Sequence, residues 1–176
     1  IGLFRPPYGA LSGAGRTHLE KLGVTEVTWS VDTRDWKAKD AGVLRRSVLK
    51  MILERSGGIV LMHDVKPITA KILSGVLDDL EAENCKRLDE QRAPIVPVSI
   101  HYFLRDGKTA RAIPTDVQKR TEAYKLALPV RCANRVARAK AEIIEAQQRL
   151  RDLREERQRV KNGGEPRHPG TFGRPG

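Results

Sequence analysis

The stretch Gly58-Ile59-Val60-Leu61-Met62-His63-Asp64 constrains this chain more than any other. An uninterrupted apolar run, opened by a glycine pair and stopped by a histidine and a carboxylate, reads as a strand buried on both faces. Such a strand needs neighbouring strands beside it and helices over both faces of the sheet. The helices are legible on either side. Asp40 is an N-cap for a helix through Val43, Leu44, Val48, Met51 and Ile52, ended by Gly57-Gly58. Pro67 opens a second, with Ile68, Ile72, Leu73, Val76, Leu77 and Leu80 on one stripe.

The same order extends outward. Gly13 to Leu22 has the content of a short helix capped by Gly23, and Val24 to Val31 alternates and is rich in β-branched residues, as a strand does. A last strand is expected over Ile95 to Phe103, with Pro97 placing it at an edge or a bulge. Helix, strand, helix, strand, helix, strand is the order that right-handed crossovers use to build a parallel sheet, so the fold class is α/β. Three strands make a small sheet for so apolar a strand, and the expectation is that strands preceding Ile1 are missing.

Beyond the sheet, a polar helix is expected from Thr115 to Leu128, broken by Pro129, and a second from Ala133 to about Lys161. Val136, Ala139, Ile143, Ala146, Leu150, Leu153 and Val160 fall on a heptad seam interrupted by Arg157. Two alanines and an arginine weaken that seam, which leaves a helix packed on the domain or half-ordered in solvent, with weak helix-mediated self-association open. Asn162-Gly163-Gly164 ends it, and Glu165 to Gly176, rich in Pro, Gly and Arg, reads as a disordered end. The domain organisation so read is a sheet-bearing part over 1–103, a linker and helical extension over 104–130, a charged helix over 131–162 and a tail over 163–176.

Charge separates these parts. The net charge is +11, of which residues 131–176 carry +6, from 12 basic against 6 acidic residues. The tail basics alternate with Asp152, Glu155 and Glu156, and Glu145 to Arg149 and Glu155 to Arg159 are i to i+4 pairs, the pattern of a solvated helix rather than a nucleic-acid surface. No apolar run reaches the roughly 18 to 20 residues of a membrane span. Two cysteines, Cys85 and Cys132, cannot supply a disulfide framework and form no C-x-x-C pattern. The glycines from Gly9 to Gly15 complete no phosphate-loop motif and are read as a loop and a helix start.

Sites on parallel sheets lie beyond the carboxyl ends of strands, which directs attention to three segments: Arg5-Pro6-Pro7-Tyr8, Asp32-Thr33-Arg34-Asp35-Trp36 and His63-Asp64. A histidine held by an adjacent carboxylate is a general acid or base, because the carboxylate fixes its tautomer and favours its charged form. The same His63 would also serve as an ordinary, satisfied histidine at a strand end, and position alone does not separate the two.

Phe4-Arg5-Pro6-Pro7-Tyr8-Gly9, Asp32-Thr33-Arg34-Asp35-Trp36 and Ile59-Val60-Leu61-Met62-His63-Asp64 resemble, in order, the third, fourth and fifth motifs of the NodB-type polysaccharide deacetylases, carbohydrate esterase family four. The resemblance covers roughly residues 1 to 103. It implies a partial (β/α) NodB-like barrel lacking its N-terminal strands, followed by the long charged helix. It also implies a hydrolase that removes acetyl groups from N-acetylated sugars of a polysaccharide, such as chitin or peptidoglycan, with a divalent metal, often zinc, in a cell-envelope or secreted location.

Carried over by position, the resemblance gives Arg5 the task of holding the catalytic aspartate base ionised, and the Tyr8 N–H that of facing the developing oxyanion. Asp35 would orient His63 and keep it protonated, so that His63 protonates the leaving amine. Trp36 would wall the sugar groove, Leu61 would floor the acetyl pocket, and Asp32 and Asp64 would shape loops. The first and second motifs, which supply the base and the metal ligands, have no counterpart here: His18, His101 and His168 are not spaced as a pair, so no metal ligand is assigned. The expectation is therefore the C-terminal half of a deacetylase, inactive and poorly stable by itself. The alternative is a non-catalytic carbohydrate-binding or interaction module derived from the same fold.

Overall fold

The computed structural model describes residues 2–55, 57–106 and 109–165. The chain divides into two compact units, 1–129 and 130–176. The first begins with β1 (Gly2–Phe4), α1 (Gly13–Lys21) and β2 (Val24–Glu26), and β1 pairs with β2 in parallel, Gly2 opposite Val24 and Phe4 opposite Glu26. Then follow β3 (Val31–Asp32), α2 (Ala41–Arg55), β4 (Val60–Leu61) and α3 (Pro67–Asp89), with β3 parallel to β4. The class is mixed α/β, as expected.

The core is built between α2 and α3. Leu44, Val48 and Ile52 meet Ile72, Val76 and Leu80, all buried and each set spaced by four, so each helix turns one apolar line toward the other. Fully burying a side chain of this kind stabilises by about 1.5–3 kcal/mol. Two starts are closed as the sequence indicates, the Asp40 carboxylate accepting from the Val43 N–H at 2.7 Å and Pro67 beginning α3, and a third is closed by Ser12, which sequence reasoning did not single out and which accepts from the Gly15 N–H at 3.1 Å. Gly58, at φ 127°, lies so near Ser30 that a Cβ there would meet Ser30 Oγ at 2.2 Å. That closeness lets the Ser30 hydroxyl accept from the Ile59 N–H and brings the two chain segments into pairing at the start of β4.

Four expectations are corrected. The strand expected over Val24–Val31 is two strands with different partners: the Val27 N–H donates to the Phe4 carbonyl at 2.8 Å, whereas the Ser30 N–H donates to the Ile59 carbonyl at 3.0 Å. Between them Trp29 lies against Gly9, where a Cβ would stand only 2.9 Å from the ring. The first of these partners, β1, went unread because a three-residue strand carries no period.

The strand expected over Ile95–Phe103 is absent. Residues 93–99 belong to no ladder and lead into a 3-10 turn at Ile100–Phe103. Pro94 and Pro97 have no N–H to give a ladder, and the Asn84 side chain takes a strand's place by donating to the Ile95 carbonyl at 2.9 Å and accepting its N–H at 2.8 Å. That segment and the near side of β4 border an apolar groove lined by Ile59, Met62, Leu77, Val96 and Phe103. The sheet is therefore not the three-stranded one expected but two separate parallel pairs.

Further along, β5 (Arg105–Asp106) and β6 (Thr109–Ala110) form a small antiparallel hairpin within the segment read as linker and helical extension. Finally, α4 (Thr115–Lys161) runs through Pro129 where a break was expected. Proline fixes φ near −65°, a helical value, so the ring costs the helix a hydrogen bond and some strain without forcing a stop. The disordered end expected for Glu165–Gly176 lies, from Pro166 onward, outside the described residues. Among the described residues no helix is long and apolar enough to cross a membrane.

Candidate active site

The loop after β3 is drawn to β4 by Thr33, which is buried and donates its hydroxyl to the Leu61 carbonyl at 2.7 Å. Asp32 Oδ1 accepts from the Arg34 N–H at 3.0 Å, closing a turn that sets Arg34 at φ 50°. The reversal delivers Asp35 inward at the head of a 3-10 turn, Asp35–Lys37, with 1% of its surface exposed.

Both Asp35 oxygens are then fully used. Oδ1 lies 2.7 Å from His63 Nδ1 and accepts from the Trp36 N–H at 3.0 Å. Oδ2 accepts from the His63 N–H at 2.7 Å and from the Thr69 hydroxyl at 2.5 Å. A carboxylate offers about four lone-pair sites, and here four donors fill them. Burial alone would raise the Asp35 pKa, but the hydrogen bond from Thr69, the two from His63 and the charge of the imidazolium outweigh it and hold the carboxyl below the usual aspartate range. An ionised Asp35 has no proton to give, so Nδ1 is the protonated nitrogen of the pair. The side chain of His63 is 29% exposed, and Nε2 is left for other chemistry.

Of the expected site residues, the structure gathers four. Asp35 and His63 are bonded, Trp36 anchors Asp35 through its backbone with its ring half exposed under Lys37 Nζ at 4.5 Å, and Leu61 pairs with Asp32 across the strands. Arg5 and Tyr8 lie elsewhere, beyond the end of β1. No hydrogen bond or ion pair among the described residues ties either to Asp35 or His63. Arg5 is exposed, and Tyr8 is 98% exposed at φ 57°, a left-handed conformation that L side chains adopt at a cost.

Sequence reasoning missed Thr69 and Thr33. The signal for Thr69 was available: it stands three residues before Ile72 and seven before Val76, so it belongs to the buried line of α3, where a hydroxyl must find a partner. Asn84 continues that line and was open to the same inference. No group of three or more His, Cys, Asp or Glu side chains able to hold a metal ion occurs among the described residues. The divalent metal expected from the resemblance therefore finds no fitting ligand set here.

The class so defined is a mixed α/β chain with a carboxylate-held histidine beyond the ends of its parallel strands. No family model matches the chain. Among curated proteins, it is 36% identical over 101 residues to the peptidoglycan-N-acetylglucosamine deacetylase PgdA of Listeria monocytogenes, covering 56% of this chain and 21% of that protein. It is 42% identical over 64 residues to the chitooligosaccharide deacetylase of Azorhizobium caulinodans, covering 36% of this chain and 30% of that one. The crystal structure of the polysaccharide deacetylase Bc1974 from Bacillus cereus matches with a TM-score of 0.40 and 22% identity, over 47% of this chain and 44% of that one. The chain is similar in sequence to peptidoglycan and chitooligosaccharide deacetylases, and its match spans about a fifth of the Listeria protein and under a third of the Azorhizobium one.

Proposed function

We propose that residues 1–103 carry the acid side of a polysaccharide deacetylase site and form part of a (β/α) barrel of that family. The observation that carries the reading is the 2.7 Å contact between Asp35 and His63 Nδ1 at the carboxyl ends of β3 and β4. Deacetylation of an N-acetylated sugar passes through a tetrahedral intermediate whose amine leaves only when protonated. In its imidazolium form His63 would give that proton from Nε2, and Asp35 would stabilise the cation while staying ionised itself.

Trp36 would wall the sugar and Leu61 floor the acetyl pocket. Arg5 and the Tyr8 N–H would act on a base and an oxyanion that the described residues do not include. A divalent metal, zinc by resemblance, would polarise the acetyl carbonyl and activate water in the whole site. Since the described residues offer it no ligand set, no step assigned to this chain depends on it, and the contribution here is the proton and the groove.

Replacing the matching stretch of the Listeria deacetylase with this chain's residues provides the test. The chimera should release acetate from N-acetylglucosamine oligomers, and His63→Ala within it should lower the turnover by about 10² to 10⁴. The chain by itself should release none. A chimera whose rate ignores His63→Ala would overturn the assignment, and metal-independent sugar binding by the chain, also indifferent to His63→Ala, would favour a non-catalytic carbohydrate-binding module.

A further inference from the structure

The helix of the second unit carries Val136, Ile143, Leu150 and Leu153 with 53 to 60% of each exposed. With Ala139 and Ala146 they stand at alternating spacings of three and four, which makes one line along an α-helix. The two flanks of that line differ. On one, Arg135, Glu142, Arg149 and Glu156 alternate in sign every seven residues; the other, with Lys140, Gln147 and Arg154, has no acid.

We propose that this helix pairs with the same helix of a second copy of the chain, antiparallel, about a twofold axis between Ile144 and Glu145. In that register Ile143 faces the second copy's Ala146 and Leu150 its Ala139, a large side chain on a small one each time, and Val136 faces its Leu153. On the alternating flank Arg135 meets the second copy's Glu156, and Glu142 its Arg149. Each pair occurs twice by symmetry, so four opposite-charge contacts line the seam. On the basic flank Lys140 faces the second copy's Gln147 and Arg154 its Ala133, which keeps like charges apart.

The alternatives are worse on the same residues. A parallel pair stacks Arg157 on Arg157 and alanine on alanine, and sets Arg135 against Lys140 and Arg149 against Arg154. A slip of one heptad in the antiparallel pair sets Glu142 against Glu156 and Arg149 against itself. Flanking charges decide partner, direction and register in helix pairs chiefly by such repulsions. The pairing stands apart from the deacetylase reading and involves none of its residues.

Sedimentation equilibrium of the full chain at low salt, over micromolar to millimolar concentration, tests it. A reversible dimer is expected, and Ile143→Asp should leave a monomer. Arg149→Glu should weaken the dimer about tenfold, since both Glu142 contacts become repulsive, and adding Glu142→Arg should restore it. A parallel pair would respond oppositely, because the introduced carboxylate would meet Arg154. A chain that stays monomeric throughout, or a dimer that Arg149→Glu tightens or leaves unchanged, would overturn the proposal.

Discussion

At Asp35, four donors converge on one buried carboxylate, and the pH response of the first unit follows from them. Its folded-state pKa lies below that of the unfolded chain, so its contribution is present above about pH 4, the ordinary aspartate value, and is lost as the pH falls through the lower folded value. Urea unfolding between pH 2 and 6 should show an acid loss of stability that Asp35→Asn reduces. Thr69→Val deletes one charge-assisted donor, which should cost about 1.5–3 kcal/mol near neutrality and move the acid loss to higher pH; Thr69→Ser, keeping the hydroxyl, should do much less. An acid limb identical in Thr69→Val and the parent would show that the hydroxyl does not hold the carboxylate. His63 and Asp35 were open to sequence reasoning because they follow apolar runs. The place of Thr69 on the buried line of α3 was open to the same reasoning, but its partner was not, because it lies 34 residues away and only packing brings the two together.

The elements that could be read were those with a long period. α2 and α3 present repeated apolar positions, and Leu44, Val48, Ile52, Ile72, Val76 and Leu80 are buried as those positions indicate, whereas Val43, Leu73 and Leu77, expected on the same stripes, are exposed and Thr69 and Asn84 join the buried line of α3. The extended pieces were harder. A strand of two or three residues has no period, and Ile95, followed by Val96 and Val98, looks like the start of a strand although its partner is a side chain. Asn84→Ala should expose that substitution: it removes both contacts to Ile95, at an expected cost of about 1–3 kcal/mol for buried polar groups left unpaired. Hydrogen exchange at the Ile95 amide should rise well above that of the α2–α3 core. Unchanged protection would mean that the segment is held by its apolar contacts alone.

Over the whole molecule, the net charge of +11 divides almost evenly between the two parts, yet the second is far shorter and interleaves its charges. That arrangement favours pairing of like helices over wrapping a polyanion. If the antiparallel pairing holds, salt should weaken it, since the Debye length shrinks from about 10 Å at 0.1 M to about 3 Å at 1 M. In Arg149→Glu, where attraction has become repulsion, salt should strengthen it. Sedimentation in a NaCl series distinguishes the two signs, and a dimer of constant affinity in both chains would assign the association to the apolar seam alone.

Sequence alone determined the α/β class, the helices α2 and α3 with their starts at Asp40 and Pro67, and the resemblance to deacetylases, because each rests on local patterns or on short ordered motifs. Tertiary structure alone decided that the sheet is two separate parallel pairs, that Thr69 and Thr33 tie the loop after β3 to its neighbours, and that α4 continues through Pro129. These depend on which distant backbone and side-chain groups satisfy one another once buried, and a buried polar group takes its partner from space rather than from the chain.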